Sequence, residues 1–392
     1  MKPQSYTEFD IGYDRREKRM KNIVIINQDA GYLMIDLANA YHEAGYLVTL
    51  ITGRLVQRDK PLAYNVQLKK IIRYNRSGTF KRILTWGWGT LQILVLVWLK
   101  YRKTHLIIVS NPPFAPLLPL FLKNPFSLLI YDVYPDTLTE SGVFSRNSYL
   151  VKSWENANKR VFFQADRIIT LTAGMKSLVD KYSGGKKVEV IPVWTDNQFL
   201  KPVRKEENRF ILGNRLSGKF VVMYSGNIGF THEVHIMLDL AEMTDDQEIL
   251  FLIVGDGNNK ELIQKRIFEK QLSNCILLPL QNPEDLPYSL SAADIAVITL
   301  NKVASKLSVP SKTYNFLSVG ATLLCISGSD SELKNLVDHY KVGACFNSDQ
   351  FEEMKKFILE VKKHPEKKYF FSENAIKASR DFGLENIQKF LC

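Results

Sequence analysis

Lys312 lies in the first turn of a segment, Val309-Pro-Ser-Lys-Thr-Tyr-Asn-Phe-Leu-Ser-Val-Gly320, whose apolar positions recur at helical spacing. Ser311 is the expected N-cap and Gly320 the expected stop. A lysine there opposes the helix dipole, because a helix N-terminus already presents unpaired N–H donors and partial positive charge. A bound diphosphate would account for it, with Ser311, Lys312 and Thr313 forming an anion pocket. A second loop, Tyr224-Ser-Gly-Asn-Ile-Gly229, closes an apolar run. Gly226 and Gly229 flank Asn227 and free backbone N–H groups suited to phosphate oxygens. A third, Val254-Gly-Asp-Gly257, places Gly255 and Asp256 in a turn that reads equally as structural. None of these is a G-x-G-x-x-G fingerprint or a Walker loop, so no dinucleotide site or ATP hydrolysis is inferred.

The amino-terminal half offers two more loops. Asn27-Gln-Asp-Ala-Gly-Tyr32 contains Gly31 and Tyr32, where a close ligand approach and a plain tight turn both fit. Tyr131-Asp-Val-Tyr-Pro-Asp136 sets Asp132 and Asp136 around a proline at a strand end, as a functional pair or as turn caps.

These loops need strands to position them, and the chain supplies them twice. Short apolar runs at 22–27, 47–52, 106–110, 128–131, 167–171 and 188–191 alternate with helical patterns, and the alternation restarts at 220–224, 249–254, 275–278, 294–300 and 322–326. That order predicts an α/β protein with two Rossmann-like parallel-sheet domains facing a cleft, with ligands at the carboxyl ends of the strands. The expected divisions are a polar arm over 1–20, a first domain over 21–195, a Lys/Arg/Glu-rich linker over 196–218 and a second domain over 219–370. Residues 371–392 are expected to form a helix packing back on the first domain.

The 392 residues suit two domains, and 45% hydrophobic content excludes a disordered chain. A net charge of +11 favours nucleic acid, anionic membrane or phosphorylated ligands without choosing among them. Cys275, Cys325, Cys345 and Cys392 lack paired spacing and read as reduced thiols of a cytosolic compartment, and the polar first 20 residues do not read as a signal peptide. His232 and His235 read as a helix start. The uncharged run Ile83 to Leu99 is short for a spanning helix and is flanked by Arg73, Arg76, Lys81, Arg82, Lys100, Arg102 and Lys103. It suits an interfacial helix on anionic lipid or a buried core helix.

Residues Phe220 to Gly320 resemble the donor-binding domain of retaining GT-B glycosyltransferases of family 4, in the bacterial capsule, O-antigen and colanic-acid type subgroup. The carriers are the loops at 224–229 and 254–257, Leu-Pro at 278–279, Pro-Glu-Asp-Leu-Pro at 283–287 and Val-Pro-Ser-Lys-Thr-Tyr-Asn-Phe at 309–316. Ser110-Asn-Pro-Pro113 and Asp132-Val-Tyr-Pro-Asp136 carry it more loosely in the first half. The resemblance implies transfer of a sugar from a nucleotide diphosphate sugar to a saccharide acceptor, lipid-linked through polyprenol, in cell-surface polysaccharide assembly. It implies a peripheral place on the inner face of the bacterial plasma membrane, no nucleic-acid partner, no cofactor and no metal. Lys312 with the 311–313 backbone would hold the diphosphate, facing Gly226, Asn227, Gly229, Gly255 and Asp256. Leu280 would meet the base and Asn315 the ribose, while Gly31, Tyr32 and Asp136 would line the acceptor side. Asp132 would orient the acceptor hydroxyl or the sugar, making Asp132 and Lys312 the catalytic pair. One alternative keeps the fold and changes the chemistry, as a nucleotide-sugar epimerase or a phosphorylase; the other, a catalytically weak partner subunit, is supported by Leu307 and Asn315, which depart from the family's two glutamates.

Overall fold

The computed structural model describes residues 21–57, 60–75, 78–140, 142–229, 232–300 and 309–391. The expected arm over 1–20, Arg76, Leu307 and Cys392 lie outside them.

The first domain contains β1 (Asn22–Ile26), β2 (Asp29–Ala30), β3 (Leu47–Thr52), β4 (Arg54–Leu55), β5 (Gln67–Lys70), β6 (His105–Val109), β7 (Phe126–Ile130), β8 (Arg167–Thr170) and β9 (Val188–Val190). Seven of these form one parallel sheet in the order β5-β3-β1-β6-β7-β8-β9, and β2 pairs with β4 beside it. The second domain contains β10 (Phe220–Asn227), β11 (Ile249–Asp256), β12 (Cys275–Leu278), β13 (Ile295–Thr299), β14 (Thr322–Ile326) and β15 (Gly343–Phe346), a parallel sheet ordered β12-β11-β10-β13-β14-β15. Central strands such as β7 and β13 are buried at every residue, with helices over both faces. Continuous apolar runs are what a two-sided parallel sheet requires.

Three boundaries differ from the sequence expectation. The segment 196–218 is no free linker: Leu200, Phe210, Ile211 and Leu216 are buried in the second domain's core. Asn208 caps the short helix Arg209–Gly213 through its side chain, so the charged residues there are only the solvent side of a packed segment. The last helix is Pro365–Ser379, spanning the expected break at 370. The return to the first domain is made by the 3-10 turns Arg380–Phe382 and Leu384–Phe390. There Tyr41 donates to the Phe390 carbonyl at 2.8 Å, and Arg167 donates to the carbonyls of Lys389 and Leu391. Finally, the helix Ser311–Ser318 starts at Ser311 with Pro310 in the N-cap position, because proline's fixed φ suits the entry and Ser311 already adopts helical geometry.

The helix Thr79–Lys100 carries the uncharged run, with one face packed on the first domain and the other exposed. Trp86, Gly89, Ile93 and Val97 are buried against the first domain, while Leu84, Trp88, Leu91, Val95 and Trp98 are exposed. Gln92 accepts from the Ile72 N–H and Gln28 donates to the Thr85 carbonyl, tying the helix to the sheet along one face.

Candidate active site

The carboxyl ends of β10, β11 and β13 bring the expected donor loops together. Ile228 donates to the Asp256 carbonyl at 2.8 Å and Asn259 to the Ile228 carbonyl at 3.0 Å, so the two glycine-containing loops are zipped to each other. Gly226 and Gly255 face each other across the β10–β11 pair. A Cβ at Gly255 would fall well inside contact distance of the Gly226 carbonyl oxygen, which explains that glycine by packing. Gly226 adopts φ +141, and a Cβ there would come 3.0 Å from the Lys312 ammonium.

Lys312 is the centre of this arrangement. Its Nζ is buried 3.9 Å from the Tyr224 ring centroid and has no hydrogen-bond partner among the described residues. Burial lowers its pKa to about 7. A cation–π contact recovers only part of an ammonium's hydration, so the site is incomplete without an anion. The buried hydroxyls of Thr313, in the same helix turn, and Thr299, at the end of β13, also lack partners among the described residues.

Two neighbours escaped the sequence reading. Tyr224 is fully buried beneath Lys312 and donates from its hydroxyl to the Asn227 carbonyl at 2.6 Å, fixing the glycine turn against the lysine. His232 is not part of a helix start; the next helix runs His235–Met243. Its Nδ1 lies 2.9 Å from the Thr299 carbonyl, and burial with the nearby Lys312 charge lowers its pKa. A neutral imidazole donating from Nδ1 leaves Nε2 as an acceptor. The clue available in sequence was its place three residues after Gly229.

Several expected site residues serve elsewhere. Asn315 is buried, and its Oδ1 accepts from Thr195 Oγ1 at 2.8 Å, so it braces the helix Ser311–Ser318 to the crossing between domains instead of presenting that oxygen to a ribose. Asp136 is turned into the first domain, accepting from Tyr182 Oη at 2.6 Å and pairing with Lys181 at 3.4 Å, which removes it from the acceptor side. Asp256 accepts from the Gly257 N–H at 3.0 Å and stands 3.6 Å from Lys260, with its side chain otherwise exposed. Leu280 is exposed beyond the end of β12, and Ser311 is exposed at the helix start. Gly229 packs against the Asn227 side chain.

On the facing domain, Ser110 Oγ accepts from the N–H groups of Tyr131 and Asp132 at 2.9 and 3.0 Å, which sets the turn after β7. Asp132 reaches solvent, yet the surrounding protein withholds part of its hydration and raises its pKa. Gly31 caps the helix Tyr32–Glu43 with open space beside it. Tyr32 is near enough to both Tyr131 and Tyr314 to raise their pKa values alongside burial, so the first-domain loop and the donor-side helix meet at one cleft. Glu332 spans the same divide, accepting from the Gly174 N–H.

The family described as glycosyl transferases group 1 matches residues 204–378, the domain that carries Lys312 and both glycine loops. The second domain is thus similar to the group 1 glycosyl transferases. Two curated proteins are similar to the chain: the probable glycosyltransferase WbjE of Pseudomonas aeruginosa, 24% identical over 58% of this chain and 57% of its own, and WcaI of Escherichia coli K12, a putative colanic acid biosynthesis glycosyl transferase, 26% identical over 48% of this chain and 47% of its own. The matches thus span about half the length of those relatives. Among solved structures, Anabaena Alr3699/HepE in complex with UDP and glucose superposes with a TM-score of 0.71 at 14% identity, covering 94% of this chain and 98% of that one. WaaG, a glycosyltransferase involved in lipopolysaccharide biosynthesis, gives 0.69 at 12% identity, covering 94% and 98%. The two domains therefore share the GT-B fold.

Proposed function

We propose that the chain is a retaining glycosyltransferase that moves a sugar from a nucleotide diphosphate sugar to a lipid-linked saccharide in cell-surface polysaccharide assembly. The observation that carries this reading is the buried Lys312 ammonium, set on Tyr224 beside Gly226 and without a hydrogen-bond partner among the described residues. As the bond from the anomeric carbon to the phosphate oxygen breaks, negative charge grows on the departing diphosphate. Lys312 and the N–H groups of the helix start meet that charge, more strongly in the transition state than before it. The acceptor oxygen bonds the same face of the sugar, and its proton passes to the leaving phosphate. Asp132 orients the acceptor, and no metal is assigned a part. The unsatisfied lysine also weighs against an inactive partner subunit. The similar proteins WbjE and WcaI, by their names, support glycosyl transfer. The test is acceptor-stimulated release of nucleoside diphosphate across a panel of UDP-, GDP- and dTDP-sugars. Failure of every one to bind would remove the reading.

The reading includes a peripheral position on the cytoplasmic face of the bacterial plasma membrane. The helix Thr79–Lys100 is long and apolar and mostly unburied, yet its sheet-facing side anchors it in the domain. It is suited to lie in the interface, with Lys81, Lys100, Arg102 and Lys103 toward anionic headgroups at about 1 kcal/mol each. Trp88 and Trp98 are 55% and 53% exposed, whereas Trp86 is 7%. Flotation with phosphatidylglycerol vesicles should drop several-fold when Trp88 and Trp98 are both changed to Ala. Unchanged flotation would contradict the docking.

A further inference from the structure

We propose that the groove between the helix Thr79–Lys100 and the 3-10 segment Ala115–Leu120 holds the isoprenoid chain of the phosphate-linked acceptor, whose head is led to Asp132 along a row of aromatic rings. This rests on the acceptor reading above and adds the place and chemistry of its lipid. The groove has a volume of about 270 Å³ and is lined by Gly87, Leu91, Leu94, Phe114, Leu117 and Phe121. It is too apolar for a saccharide or nucleotide, which need convergent polar groups. Thr90 is no exception, since its hydroxyl is turned back onto the Trp86 carbonyl at 2.8 Å. Leu91 and Phe121 are also exposed outward, so the groove opens directly onto the face assigned to the bilayer.

From the groove the rings run inward. Phe114 is 4.9 Å from Trp154, Trp154 stacks 6.3 Å from Tyr134, and Tyr134 meets Trp86 edge-on at 6.3 Å. Tyr134 senses both the Asp132 carboxylate and the Arg82 guanidinium. Arg82 lies 5.2 Å over Trp86, and its Nε is buried with no hydrogen-bond partner among the described residues. A hydrocarbon groove whose inner aromatic row leads on to a guanidinium N–H without a partner among the described residues and to a carboxylate complements an amphiphile: an apolar chain, then a phosphate, then a hydroxyl-bearing sugar. A bulk phospholipid would keep its phosphate at the membrane surface, away from Asp132.

The test uses the full-length protein with farnesyl phosphate as probe, followed by tryptophan fluorescence. A Cβ at Gly87 meets nothing within 4 Å, and leucine is the better helix former, so Gly87→Leu plugs the groove while keeping the fold. Farnesyl phosphate should bind the wild type and lose about tenfold in Gly87→Leu, the effect of excluding two or so methylenes. Nucleoside diphosphate binding should be unchanged. Arg82→Gln should weaken farnesyl phosphate and leave farnesol unaffected. Equal farnesyl phosphate affinity in wild type and Gly87→Leu overturns the proposal. So does displacement of the probe by a lysophospholipid at equal concentration, which assigns the groove to bulk lipid, or dissociation of a dimer by Gly87→Leu, which assigns it to a second copy. If the wild type binds no nucleotide, the glycosyl-transfer reading fails on its own account, whatever the groove does.

Discussion

Lys312→Met is expected to leave the protein folded, with equal or higher thermal stability, and to weaken nucleoside diphosphate binding on the order of 10- to 100-fold. Both halves follow from one geometry. Among the described residues the ammonium is buried with no partner but the Tyr224 ring, so methionine of similar length removes a desolvated charge and keeps the packing. The diphosphate, in turn, loses a charge-assisted hydrogen bond in a dehydrated site, a loss of about 1.5–3 kcal/mol. The pH dependence has a definite sign. Burial lowers Lys312 from 10.5 to about 7, so between those values the unfolded chain binds more protons than the folded one. Wild-type stability therefore gains from this group as pH rises through that window, and its burden is complete below about pH 7. The stability advantage of Lys312→Met over wild type should be largest at neutral pH and below, and vanish toward pH 10.5. Differential scanning calorimetry over that range checks it; an advantage that grows with pH would contradict the buried-charge account.

Gly255→Ala carries the second large effect, and it acts on stability first. The new methyl would occupy the space of the Gly226 carbonyl oxygen, between paired backbones that have no room to part without breaking the β10–β11 ladder. Overpacking against backbone should cost about 3 kcal/mol or more by urea denaturation. Displacement of Gly226 would also move the turn that Tyr224 holds against Lys312. Gly31→Ala is the contrast: open space surrounds that position, and its φ of −109 suits alanine, so stability should be unchanged. A Gly255→Ala protein as stable as wild type would show that the two loops are not zipped as described.

The sequence revealed most where burial left a simple pattern. Ile249–Val254 and Asp294–Leu300 read as strands because both faces of a parallel sheet are covered. Lys312 was legible because a cation at a helix start opposes the dipole and calls for an anion. The misread residues share a physical reason: their partners are remote in sequence. Asn315 looked available for a ribose until Thr195, 120 positions away, took its oxygen. Asp136 looked like half of an acidic pair until Tyr182 took it into the first domain. Tyr224 read as the end of a strand, and only the fold brings its ring beneath a lysine 88 residues later. Helix Thr79–Lys100 left two readings open because one face packs on the core and the other is exposed, a division that an uncharged run does not reveal.

The central claim is that Lys312 waits for a diphosphate, and calorimetry tests it directly. Nucleoside diphosphate is titrated into the protein at about pH 8, in buffers of different ionisation enthalpy. Free Lys312 is mostly neutral there, since its pKa is about 7, and a bound dianion restores its proton. Uptake approaching one proton per site is predicted in the wild type, and none in Lys312→Met. Binding without proton uptake, or with the same uptake in both proteins, would contradict the account.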